Sequence, residues 1–287
     1  AVLAWFKQAH DAGHAFMVLG NHELNALVDE PKDGSGWYFP CRAEKDGRQY
    51  APWKMLPEAD KPALNAWLAE QPLVLANQDL RIVHAAWLPE SLATLEAAVG
   101  EDLIAQYRRY DDELVHALQT ASWYGDYLRE QEKHAEALEN ADMPPPPMPA
   151  TAQYELARSR LHPIRALTSG AEVIAPAPFY AGGRWRYTAR SAWWQNHHDT
   201  PAVLIGHYWR RWNPPPVDPT RENLMPPQNN AWHGAAHNVF CIDYSVGARW
   251  RDRKAGIAPA HSEFRLAAMR WPERVLVFDD GETAATV

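Results

Sequence analysis

Three short strand-like runs in this chain each stop on a side chain that can ligate a metal or carry a proton. Residues 15–19 (AFMVL) run into Gly20-Asn21-His22-Glu23, residues 80–83 (LRIV) into His84, and residues 202–205 (AVLI) into Gly206-His207. Runs of this length bounded by turn formers are too short for a helix and read as buried strands. Ligands of α/β sheets bind in the crevice outside strand ends. The spacing therefore predicts an α/β fold in which strand ends offer Asn21, His84 and His207. An amide oxygen and two imidazoles together suit a hard or borderline divalent metal.

The rest of the chain fits this frame. Residues 1–12 read as a helix stopped by Gly13, and residues 24–28 are helical in pattern. A helix followed by a buried strand is half of a βαβ unit. Residues 31–57, rich in Gly, Pro and aromatics, read as an irregular loop, and 58–71 as a helix. Strands are expected at 73–76 and 80–84 around the turn Asn77-Gln78-Asp79. Pro89 opens a long helical stretch, broken near Gly100, that reaches about residue 141. Pro144 to Pro147 follow as a stiff spacer. A short helix at 151–161, a strand-like segment at 179–194 and a long loop at 213–236 come next. Strands at 239–244, 264–270 and 275–279 close the chain.

Charge and cysteine content narrow the function. With 28 Lys and Arg against 36 Asp and Glu, the net charge is −8, which argues against a binder of long nucleic acid. A small anionic substrate remains compatible, because a bound cation inverts the local field. The two cysteines, Cys41 and Cys241, form no framework or CxxC pattern and fit a reducing cytoplasm. No apolar run approaches the ~18 residues of a membrane span, and the first residues lack the basic flank of a signal peptide.

In its three motifs the chain resembles the calcineurin-like metallophosphoesterases, in the branch of phosphoprotein phosphatases and diadenosine tetraphosphatases. Gly20-Asn21-His22-Glu23 is similar to the family's central GNH(E/D) motif, His84 to its single histidine after a strand, and Gly206-His207 to its GH motif. Trp209 stands where a GHxH pair would have its second histidine. Residues 238–247 also resemble the strand that follows GH in the tetraphosphatases. The resemblance implies a four-layer αββα sandwich, a single domain over residues 1–287 with a helical insertion at 89–160. It implies hydrolysis of phosphoester or phosphoanhydride bonds by a hydroxide held between two divalent metals (Mn, Fe or Zn), ~3.5–4 Å apart. Asn21, His84 and His207 would hold the second metal, and His22 would be the general acid at the leaving oxygen. Imidazole exchanges protons near neutral pH, which suits that role. The substrate would be a phosphorylated small molecule, a dinucleoside polyphosphate or a phosphoprotein. The alternative is a catalytically degenerate member that acts as a binding module.

Two family motifs, DxH(G) and GDxxDR, do not occur in these residues. Gly125-Asp126-Tyr127-Leu128-Arg129 lacks the second Asp and lies in a helical stretch. The chain opens on Ala1 rather than Met, inside the helix expected to follow GDxxDR. The expectation is therefore a chain that lacks the first βαβ segment, holds one metal, and is inactive or nearly so. Among the arginines before GH (Arg184, Arg186, Arg190), Arg190 is favoured for the phosphate, with Arg210 just after GH as a second candidate; a surface Arg packed on Trp is the plain alternative for Arg190. Tyr208 could line the mouth or simply pack, and Asp243 could orient a ligand histidine or cap its strand. His197-His198-Asp199, His233 and His237 are expected in solvated loops. The tryptophans around the last motif, from Trp185 to Trp250, read mainly as core and secondarily as a stacking wall.

Overall fold

A computed structural model describes residues 2–50, 52–212, 224–225 and 228–287. The loop expected at 213–236 lies partly outside these residues. The described strands are β1 (Val74–Ala76), β2 (Leu80–Val83), β3 (Glu172–Ala181), β4 (Arg184–Arg190), β5 (Ala202–Ile205), β6 (Val239–Cys241), β7 (Ala267–Arg270), β8 (Val275–Phe278) and β9 (Thr283–Ala285). One sheet has the order β1-β2-β5-β6; β1 is antiparallel to β2, whereas β2, β5 and β6 are mutually parallel. The β1–β2 turn forms because the Asn77 side-chain oxygen accepts the amides of Asp79 and Leu80 at 2.9 and 2.8 Å. All four residues of β5 are buried, as a central parallel strand covered on both faces requires.

A second sheet, β7-β8-β9, is antiparallel and alternates in the manner of a half-buried surface. Leu276 and Phe278 point inward and pack with Ala202, Leu204 and Phe240 of the first sheet. On the opposite face of the first sheet, Val83, Val203, Ile205, Val239 and Cys241 pack with Leu167, Trp193 and Trp194. The fold is α/β, with two sheets in contact and helical segments on the far side of the first.

The 89–160 stretch is helical: Pro89–Glu96, Leu103–Thr120, Tyr124–Lys133, Ala135–Glu139 and Pro149–Arg160. The helices Val2–Asp11 and Lys61–Ala69 also follow the sequence pattern, whereas the helix expected at 24–28 starts earlier and spans Asn21–Leu27. Several expectations need correction. Residues 15–19 form no strand, because the run shows a single ladder-type bond, from the Leu19 amide to the Pro72 carbonyl at 2.9 Å. Leu19 is buried by Leu24, Trp67, Leu68 and Ile164 instead. The 31–57 loop contains the helix Pro40–Gln49, whose Asp46 is fully buried and accepts the Gly36 amide at 2.8 Å. The segment at 179–194 is the second half of a longer β3–β4 hairpin, and the helix Pro163–Ser169 and strand β9 are additional.

The loop before β6 is pinned by Gly234. Its φ is +85°, and a Cβ there would stand 2.4 Å from the Trp194 carbonyl oxygen. Neither the backbone angle nor that fixed carbonyl can yield cheaply. Gly234→Ala is therefore expected to destabilise the protein by ~2–4 kcal/mol, read as a lower urea midpoint with unchanged slope.

Candidate functional site

The parallel order of β2, β5 and β6 brings their C-terminal ends to one edge of the sheet. His84 follows β2 directly, and Gly206-His207 follow β5. The Gly206 amide donates to the His84 carbonyl at 2.9 Å, which stitches the two strand ends together. The His84 and His207 rings meet edge to face, with centroids 5.3 Å apart.

Asn21 arrives from the other side. Gly20 caps the helix Asn21–Leu27, and the Glu23 carboxylate accepts the Gly20 amide at 3.1 Å. A Cβ on Gly20 would lie 2.7 Å from His84 Cε1, so glycine is what lets the imidazole approach the helix start. In consequence His84 Nε2 and Asn21 Oδ1 are 3.0 Å apart.

Burial governs the electrostatics. It pushes His84 below the usual imidazole range, while the charges of Glu23 and Asp243 act in the opposite sense. His207 is lowered to about 3, first by burial and then by the Arg190 guanidinium and the neighbouring His84 and His22; a hydrogen bond to the Ser169 backbone opposes this. Both rings are therefore neutral at pH 7, and a neutral imidazole is the form that ligates metal. His207 has φ +68°, a left-handed conformation uncommon for a residue with a side chain. Strain of this kind of order 1 kcal/mol is retained where surrounding structure enforces it, often at functional sites.

The His84–Asn21 pair passes a simple test of fit. Two ligands at ~2.1 Å and roughly a right angle stand about 3.0 Å apart, the observed His84–Asn21 spacing. Were Asn21, His84 and His207 to hold a cation, three protein donors would leave coordination positions open. Among the described residues, no group of three or more His, Cys, Asp or Glu side chains could hold a metal ion.

The other expected residues fall into two groups. His22 is exposed beside Asn21, and Arg190 is exposed with its Nη1 3.4 Å from the His207 carbonyl and its guanidinium 5.5 Å from the Tyr208 ring. Arg210 is placed differently from expectation. It is 4% exposed, donates to the carbonyls of Cys241 and Gln228 at 3.0 and 3.3 Å, and lies over Phe240 and Tyr244. Its donors and its burial give it a packing role, out of reach of a phosphate. Arg184 bonds the Gln131 side chain.

Tyr208 is buried edge-on against Trp194. Asp243 Oδ1 accepts the Ser245 amide at 2.9 Å, so it caps its strand. His197 and His233 are buried rather than solvated, under Trp193 and Trp194 respectively, whereas His237 is exposed. Trp193, Trp194 and Trp232 belong to the core, and Trp209 is exposed next to the GH turn. Motif spacing carried no sign that Ser169, at the end of Pro163–Ser169, would contact His207. Comparison with protein-family models, curated proteins and solved structures returned no match.

Proposed function

We propose that this chain serves metal-dependent hydrolysis of phosphoester or phosphoanhydride bonds, with Asn21, His84 and His207 holding a divalent cation. The observation that carries this reading is the convergence of one amide oxygen and two neutral, half-buried imidazoles from three separate chain segments. When bound, the cation would polarise a phosphoryl oxygen and offset phosphate charge. The Arg190 guanidinium, at the rim, offers a fork for the remaining oxygens. His22, one residue beyond Asn21, would supply a proton to the leaving oxygen as water replaces it on phosphorus and the P–O bond breaks.

The contact between two sheets, with helical segments behind the first, supports the αββα sandwich of the metallophosphoesterases as the finer description of the fold. The resemblance's second metal would draw on DxH and GDxxDR residues, which these 287 residues do not contain. Turnover by these residues alone is therefore expected to be slow. That same observation favours a second reading, a catalytically degenerate binding module. Both cysteines are free, which suits a reducing cytoplasm. Among the described residues no helix is long and apolar enough to cross a membrane.

Hydrolysis of p-nitrophenyl phosphate with added Mn²⁺ separates the two readings. Slow turnover that EDTA abolishes and His22→Ala lowers by about 10²-fold supports the hydrolase. Tight Mn²⁺ binding with no turnover of any phosphoester or phosphoanhydride supports the binding module.

A further inference from the structure

A cleft of about 260 Å³ opens beside Asn21 and His22. Its walls include Lys32, Arg158, Arg165 and Ser169, contributed by three further chain segments. Arg165 is the fixed element. Its Nε donates to the Tyr107 hydroxyl at 2.7 Å, its Nη2 to Glu30 at 2.9 Å, and its Nη1 pairs with Asp111 at 2.8 Å. Both carboxylates near the cleft are thus engaged by Arg165.

Arg158 differs. It is exposed at the cleft wall and makes no ion pair among the described residues. Its charge nevertheless reaches the same place, since it helps hold Glu30 low and counters the rise of Asp111. Lys32 pairs with Glu30 at 3.0 Å on an exposed surface, where such pairs are weak and exchangeable. Lys32, Arg158 and Arg165 set against Glu30 and Asp111 leave a surplus positive charge in a concave site. Ser169 adds a side chain with a hydroxyl to the lining.

Asn21 is the link between this cleft and the candidate metal site, because it lines the cleft and also faces His84. We propose that the cleft is an anion subsite that receives a second acidic group, a phosphate or a carboxylate, on the leaving side of the phosphorylated substrate, with Arg158 as its selecting residue. The placement on the leaving side rests on the hydrolase reading, in which His22 protonates the departing oxygen. Binding of the anion itself needs only the cleft. Substrates with an acidic leaving group are therefore favoured over esters of neutral alcohols.

The test is calorimetric titration of the EDTA-treated chain with pyrophosphate and, separately, citrate at low ionic strength. Wild-type protein is expected to bind at least one of them, Arg158→Ala to bind roughly tenfold more weakly, and Arg270→Ala, on β7, to match wild type. Stronger pyrophosphate binding identifies the acidic group as phosphate, and stronger citrate binding as carboxylate. No binding of either anion, or binding that Arg158→Ala leaves unchanged, overturns the proposal. A parallel Mn²⁺ titration keeps the two readings apart. If pyrophosphate binds through Arg158 while Mn²⁺ does not bind at all, the subsite stands and the hydrolase reading falls.

Discussion

His84→Ala is expected to lower Mn²⁺ affinity by about 100-fold or more, measured by titration of chelator-stripped protein. Losing a group that merely orients a ligand costs roughly 10–100-fold in metal affinity, and loss of a ligand itself costs at least as much. His84 is the centre of the trio: its Nε2 is 3.0 Å from Asn21 Oδ1 and its ring abuts that of His207. Gly20→Val is expected to weaken the metal in the same direction without removing any ligand. Its Cβ would meet the His84 ring at 2.7 Å and displace it from Asn21. A Gly20→Val protein that keeps wild-type Mn²⁺ affinity would show that the close approach of the helix start to His84 has no part in binding.

Acid is expected to unfold the protein through histidines that the fold holds neutral. His162 is fully buried; its Nδ1 accepts the Arg165 amide at 3.2 Å, and its Nε2 faces the Tyr107 carbonyl at 3.1 Å. A second proton on Nδ1 would point at an N–H donor. Burial, followed by the nearby Arg165 charge, lowers its pKa from the ordinary 6.5 to about 4. The unfolded chain therefore takes up this proton first as pH falls. The contribution is fully present above about pH 6.5 and is lost progressively as pH drops toward about 4, for roughly 2–3 kcal/mol at pH 4.5. His233, buried against Trp194 and Phe240 and lowered to about 3, extends the loss toward pH 3. Urea unfolding at pH 7.5, 5.5 and 4.5 measures the slope. His162→Asn, a weaker acceptor that does not titrate here, is expected to start lower at pH 7.5 and to flatten the profile between pH 6.5 and 4.5. An unchanged slope in that variant would contradict the role of His162.

The parts of the fold legible in sequence were those written in local pattern. AVLI at 202–205 is apolar throughout because β5 is covered by a sheet on one face and helical segments on the other. Gly206-His207 and His84 were legible as strand ends, and the parallel register then brings them together. Residues 15–19 carried the same apolar signal, yet strand formation depends on a neighbouring ladder that composition does not reveal. The helix Pro40–Gln49 was hidden by surrounding glycines and aromatics, although Pro at its first turn and the Arg42-Asp46 pair stabilise it locally. His197 and His233 lie in loop sequence, but those loops fold beneath tryptophans, which no local signal reveals. Arg210 shows the converse limit. A positive charge after GH suggested a phosphate contact, whereas three-dimensional neighbours supply carbonyls and aromatic faces instead.

A crystal of the chain soaked in Mn²⁺ and measured for anomalous scattering tests the metal site most directly. The expected result is one strong peak within ~2.0–2.3 Å of Asn21 Oδ1 and of one ring nitrogen on each of His84 and His207. Saturating Mn²⁺ with no peak at these three side chains, or with peaks only elsewhere on the surface, would contradict it.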